Sequence, residues 1–191
     1  MRKKQWVILT ALVLMLAVAF AGCGGQGSGS IETDQSAAGG TLTEFAAKTL
    51  DGKDYTAEDL AKADVTMINV WATFCGPCIQ EMPEIASLEK RLPDNVSLIT
   101  CCVDYAEETD ADCRSILKDA GYEGTTLVSF EGDLEKVLGS TAYVPTTFFF
   151  DSEGNQVGEA VIGAPGDPEK DYLKGINDAL AASGKGAVQL K

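Results

Sequence analysis

The chain has 191 residues, an ordinary apolar fraction of 45% and a formal net charge of −14, which suits one domain with a sizeable core. Such an acidic surface repels phosphate backbones and anionic lipid heads, so nucleic acid is not an expected partner. No histidine is present; that removes Ser-His-Asp and Cys-His nucleophile pairs and histidine-ligated haem or copper, and leaves the chemistry to six cysteines.

Arg2-Lys3-Lys4 followed by the apolar run Trp6 to Ala21 has the charged start and hydrophobic centre of a signal sequence over residues 1–22, and the run is short for a membrane span. Residues 23–40 are rich in Gly, Ser, Ala and Gln without apolar periodicity, as a flexible tether is. From residue 41 to 191 the pattern is that of a folded domain. Phe45 to Leu50, the turn Asp51-Gly52 and Lys53 to Thr56 read as a β-hairpin, and Ala57 to Ala63 as a short helix.

Val65 to Trp71 is an apolar run of the buried-strand kind, and a helix follows to about Arg91, with Pro83 removing one of its backbone hydrogen bonds. Val96 to Asp104 reads as a second buried strand, Asp104 to Asp112 as an acidic loop and Ala111 to Ala120 as a helix. Thr125 to Phe130 reads as a strand, and Asp133 to Leu138 as a helix closed by Gly139. Thr146 to Phe150 and Gln156 to Ile162 then form a hairpin, Pro168 to Ala182 a closing helix, and the last residues a frayed tail. Alternating strands and helices imply an α/β layered domain.

The strand ending at Trp71 delivers Thr73-Phe74-Cys75-Gly76-Pro77-Cys78 to a helix N-terminus. Unpaired amides and the helix dipole there favour a thiolate at the first cysteine, so Cys75 is expected to have a lowered pKa and to attack. Cys78, one turn inside, is expected to be shielded and to resolve the mixed disulfide. A structural zinc site needs four ligands, and the chain has neither a histidine nor a second CxxC, so no metal is expected.

In the segment Trp71-Ala72-Thr73-Phe74-Cys75-Gly76-Pro77-Cys78 the chain resembles the thioredoxin superfamily, and more closely its extracytoplasmic TlpA/ResA-like branch, over roughly residues 42 to 182. The resemblance implies a thioredoxin-like fold with an N-terminal β-hairpin and a central α/β insertion. The 66 residues between Cys78 and Pro145 leave room for that insertion. It also places Tyr143-Val144-Pro145-Thr146 at the cis-proline loop, where Val144 would present its backbone to a client; an ordinary strand-entry proline is the alternative. Glu81 matches an acidic residue kept near the dithiol for proton handling or client binding, against the plainer reading of a surface glutamate. Asn69 stands where cytoplasmic thioredoxins have a buried aspartate, and is read as a structural hydrogen-bonding residue. Trp71 and Phe74 flank the dithiol as packing or as an apolar rim, and Gly76 and Pro77 lie between its sulfurs.

Phe20-Ala21-Gly22-Cys23 looks like a bacterial lipobox, with Phe20 where leucine is common, while Ala19-Phe20-Ala21 offers ordinary signal peptidase a competing site. Cys101, Cys102 and Cys113 remain. Adjacent strand residues face opposite ways, so at most one of Cys101 and Cys102 can meet Cys113. All three are read as buried free thiols, and an oxidising exterior keeps a second bridge to Cys113 open.

The expected function is that of a lipid-anchored, extracytoplasmic thiol:disulfide oxidoreductase with no cofactor. It would reduce disulfides in exported clients such as apocytochrome c or a repair enzyme like methionine sulfoxide reductase, recharged by a membrane thiol donor. Gly76-Pro77 is the dipeptide of reducing thioredoxins, near about −270 mV, where oxidants sit near about −120 mV. The rival readings are a disulfide-forming oxidant and a non-catalytic thioredoxin-fold lipoprotein that binds peptide or metal.

Overall fold

The computed structural model describes residues 40–191. The leader, Cys23 and all of the tether but Gly40 lie outside the described residues. The domain opens with β1 (Phe45–Thr49) and β2 (Asp54–Thr56), an antiparallel hairpin whose turn is made possible by Gly52 at a φ of 80°. After the single turn of α1 (Ala57–Leu60) come β3 (Val65–Trp71), α2 (Gly76–Arg91) and β4 (Val96–Cys102). A 3-10 turn at Glu107–Thr109 leads into α3 (Asp110–Ala120), β5 (Thr125–Gly132) and α4 (Asp133–Gly139). The chain closes with β6 (Thr146–Asp151), β7 (Val161–Ile162) and α5 (Pro168–Ala182).

The strands form one mixed sheet in the order β2-β1-β5-β4-β3-β6-β7. β3 lies inside it, parallel to β4 and antiparallel to β6, and every one of its residues is buried. Its alternation divides the core in two. Val65, Met67 and Trp71 pack with Met82, Ile85 and Leu88 of α2, Leu117 of α3, and Tyr172 and Ile176 of α5. Ile68 and Val70 face the other way, against Leu60, Leu134, Val137, Phe148 and Phe150.

The expected insertion is present: α3, β5 and α4 follow β4 before the chain returns to β6. It also ties the N-terminal hairpin to the sheet, because β5 pairs parallel with β4 on one edge and antiparallel with β1 on the other. Gly132 ends β5 at a φ of 77°, with the Glu44 carbonyl oxygen 2.4 Å from where a Cβ would sit, so a larger residue there would push the hairpin away.

Two expectations are corrected. The second arm of the last hairpin shrinks to Val161–Ile162 plus a bridge between Phe150 and Gln156, because Gly158, at a φ of 74°, leaves the extended conformation. The C-terminal tail is not frayed. The Asn177 amide accepts from the Val188 N–H at 2.7 Å and donates to its carbonyl at 3.2 Å, and the Lys191 N–H reaches the Arg91 carbonyl at 2.8 Å. Val188 and Leu190 pack on the core.

Candidate active site

Cys75 is the N-cap of α2, in extended conformation, and Gly76 and Pro77 form its first turn. The opening amides of a helix have no carbonyl partner within it, and proline fits there because it has no N–H to leave unpaired. One of these amides, the Cys78 N–H, donates to Cys75 Sγ at 3.2 Å. The two sulfurs are joined in a disulfide. Cys75 retains 6% exposure and Cys78 none, so an incoming group meets the Cys75 sulfur first.

The loop before β6 closes over this sulfur. Val144–Pro145 is a cis peptide bond, and the Val144 carbonyl oxygen lies 3.5 Å from Cys75 Sγ. Trp71 is fully buried and acts as packing beneath the loop, whereas Phe74 is 77% exposed. Ile79, Val103 and Tyr143 are the other large apolar residues left open to solvent among those described. Phe74 and Ile79 adjoin the dithiol in sequence, and Tyr143 adjoins the cis-proline loop.

Glu81 is not a surface residue: with 3% exposure it stands inside the core, one turn beyond Cys78 on the same face of α2. Asn69 Nδ2 donates to its Oε1 at 3.0 Å and the Tyr172 hydroxyl to its Oε2 at 2.9 Å. Asn69 Nδ2 is also 3.0 Å from Thr147 Oγ1, so β3 and α5 meet α2 at this carboxylate and β6 is linked to it through Asn69. Burial raises the Glu81 pKa above the ordinary carboxylate value, and the bonds from Asn69 and Tyr172 pull against that rise without cancelling it. Such a carboxyl holds its proton to higher pH than an exposed glutamate does.

Asp104 holds the loop from the other side. Its carboxylate accepts the Thr73 N–H at 2.9 and 3.1 Å, the Thr73 hydroxyl, and the Cys102 thiol at 3.3 Å. Partial burial opposes its charge, but the Thr73 hydroxyl and amide outweigh it and keep its pKa below the ordinary value. No motif or spacing in the sequence singles out Tyr172, Thr147 or Asp104. Tyr172 falls on the apolar face of the closing helix, where the pattern marks it as core but says nothing of its hydroxyl, and Asp104 opens an acidic stretch that reads as solvated. Among the described residues, no group of three or more Cys, Asp or Glu side chains is gathered to hold a metal ion.

This arrangement can exchange disulfides: a sulfur at a helix N-terminus, a second sulfur beneath it, a carbonyl beside it and a buried carboxyl near the second. The family model for Redoxin matches residues 37–176. The thioredoxin-like protein YneN of Bacillus subtilis (strain 168) is 27% identical over 151 residues, covering 79% of this chain and 86% of that protein. The thiol-disulfide oxidoreductase ResA of Bacillus cereus (strain ATCC 10987 / NRS 248) is 26% identical over 177 residues, covering 92% and 99%. Among solved structures, a thiol:disulfide interchange protein of the thioredoxin family from Chlorobium tepidum TLS superposes with a TM-score of 0.60 at 21% identity, over 75% of this chain and 97% of that one. The chain belongs to the Redoxin family and is a ResA-like thiol:disulfide oxidoreductase of the thioredoxin superfamily.

Proposed function

We propose that the protein is a membrane-anchored, extracytoplasmic reductase of disulfides in exported proteins, apocytochrome c or a repair enzyme such as methionine sulfoxide reductase being the client types considered. The observation that carries this reading is the asymmetry of the dithiol. Cys75 Sγ has a helix amide on one side and the Val144 carbonyl on the other, while Cys78 is sealed below. Cys75, as thiolate, attacks one sulfur of a client disulfide, and the other client sulfur leaves with the electron pair of the broken bond. Cys78 then gives its proton to the Glu81 carboxylate and attacks Cys75 Sγ. The second client sulfur leaves as thiolate, and the dithiol ends oxidised by two electrons. A membrane thiol donor would restore it.

The backbone beside Val144 and the side chains of Phe74 and Tyr143 supply a surface for the client strand, with Gly76 and Pro77 keeping the approach to the sulfur low. Gly76-Pro77 supports the reducing direction. Insulin with dithiothreitol tests it: the protein is expected to accelerate precipitation of the B chain, and a rate equal to that of dithiothreitol alone would contradict the reading.

The anchor rests on Cys23 of the lipobox-like run at the end of residues 1–22, with residues 23–40 as the tether to the domain at 41–191. No helix among the described residues is long and apolar enough to cross a membrane. Labelling cells with a fatty-acid analogue is expected to mark the wild type and not Cys23→Ala; equal labelling of both would remove the anchor.

A further inference from the structure

Tyr172 is fully buried in α5, in the core it shares with Met82, Ile85 and Ile176. A phenylalanine would fill that space equally well, so packing does not account for the hydroxyl; a buried phenol needs a hydrogen-bond partner. That partner is Glu81, one turn beyond Cys78, whose Oε2 the hydroxyl reaches at 2.9 Å.

Two features of α5 set this approach. Gly175 lies three residues on and on the same helical face, against the Phe149 ring of β6. A Cβ there would meet the ring at 2.4 Å, so a larger residue would force the helix or the ring aside. Arg91 at the end of α2 pairs with Glu169, one turn before Tyr172.

Glu81 is thereby held at both oxygens, Oε2 by Tyr172 and Oε1 by Asn69 Nδ2 at 3.0 Å. Asn69 from β3 and Thr147 from β6 do not ionise, so Tyr172 is the titratable side chain bonded to this carboxyl. The two donors favour the charged form against the burial that disfavours it, and no Lys or Arg among the described residues bonds to Glu81. Burial and the neighbouring carboxylate push the Tyr172 hydroxyl above its ordinary value, so it remains a donor while Glu81 titrates.

We infer that Tyr172 is a positioning residue for proton transfer from Cys78: its hydroxyl fixes Glu81 Oε2 and supports the carboxylate that takes the proton. This rests on Glu81 accepting that proton, as proposed above. In the resolving step the Cys78 S–H bond breaks, the proton passes to the carboxylate, and the sulfur's electron pair forms the bond to Cys75 Sγ as the client sulfur leaves. Tyr172 keeps its own proton throughout and acts through Glu81.

The test compares the wild-type full chain with Tyr172→Phe and with a chain carrying 3-fluorotyrosine at position 172, whose phenol is a stronger acid and a better donor. Two quantities are followed against pH in the reduced protein: insulin reduction, and ionisation of Glu81, read by NMR of glutamate labelled at its side-chain carboxyl carbon and identified by its absence in Glu81→Gln. Tyr172→Phe is expected to move both to higher pH, so that the rate on the rising limb falls about tenfold, the low end for a hydrogen bond to a charged group. The fluorinated chain is expected to move both to lower pH. It differs by one fluorine, so the comparison stands even if Tyr172→Phe fails to fold. A Glu81 titration that is the same in every chain overturns the inference while leaving the wild-type rate limb, and with it the role of Glu81, intact. A wild-type rate flat in pH instead removes Glu81 as the proton acceptor, and the role of Tyr172 falls with it.

Discussion

Cys75→Ser is expected to reduce client disulfides at least about a thousandfold more slowly than the wild type, the scale of loss when a nucleophile is removed from a unit that acts through it. Cys78→Ser is expected to accumulate instead a covalent adduct with its client, joined at Cys75 and released by dithiothreitol. The difference follows from position rather than chemistry, since both residues are thiols in one helical turn. Cys75 Sγ is the sulfur that keeps exposure and borders the Val144 carbonyl, whereas Cys78 has none. A client must therefore bond to Cys75 first, and only Cys78 is placed to remove it. Incubation with exported proteins followed by non-reducing electrophoresis and peptide mapping gives the readout. Adducts on Cys75→Ser, through Cys78, would reverse the assignment.

Glu81→Gln is expected to slow client reduction about a hundredfold near neutral pH, the low end of what a positioned proton acceptor contributes. Glutamine keeps an oxygen to accept from Asn69 or Tyr172, so packing is largely preserved while the proton acceptor is lost. The wild-type rate should rise with pH as the buried carboxyl ionises, above the ordinary glutamate value of 4.5 from which burial displaces it, and this limb should vanish in the variant. Stability gives an independent reading with a defined sign. Because the folded-state pKa is raised, the folded chain holds a proton that the unfolded chain has released between the ordinary and the raised value. The native state therefore loses stability as pH rises through that interval. Glu81→Gln removes this contribution, so its melting temperature should fall less than that of the wild type as pH rises above the ordinary glutamate value. Identical pH profiles of rate and of melting would leave Glu81 a structural residue only.

The parts of the fold that were legible are those with local causes. Val65–Trp71 is a wholly apolar or small-polar run, Gly76–Arg91 starts at a capping cysteine with proline in its first turn, and Pro168–Ala182 begins with the same device behind Asp167. The dithiol and the loop at Pro145 were legible through a motif, because their chemistry needs particular residues at particular spacings. What was not legible depends on chain that arrives from elsewhere. Spacing places Glu81 on the face of Cys78, but that this face is core depends on Tyr172, 91 residues further on. Asp104 reads as one more acid in an acidic stretch until β3 brings Thr73, 31 residues earlier in the chain, onto its carboxylate. The tail lacks periodicity, and it is the Asn177 side chain that fixes Val188.

Disulfide exchange by this dithiol requires unequal sulfurs, and limited alkylation of the freshly reduced protein with iodoacetamide at neutral pH measures that inequality. Quenched samples mapped by mass spectrometry are expected to carry the label on Cys75 at least about tenfold sooner than on Cys78, as befits a thiolate at a helix N-terminus above a shielded thiol. Labels appearing together and slowly, or first on Cys78, would contradict Cys75 as the attacking sulfur.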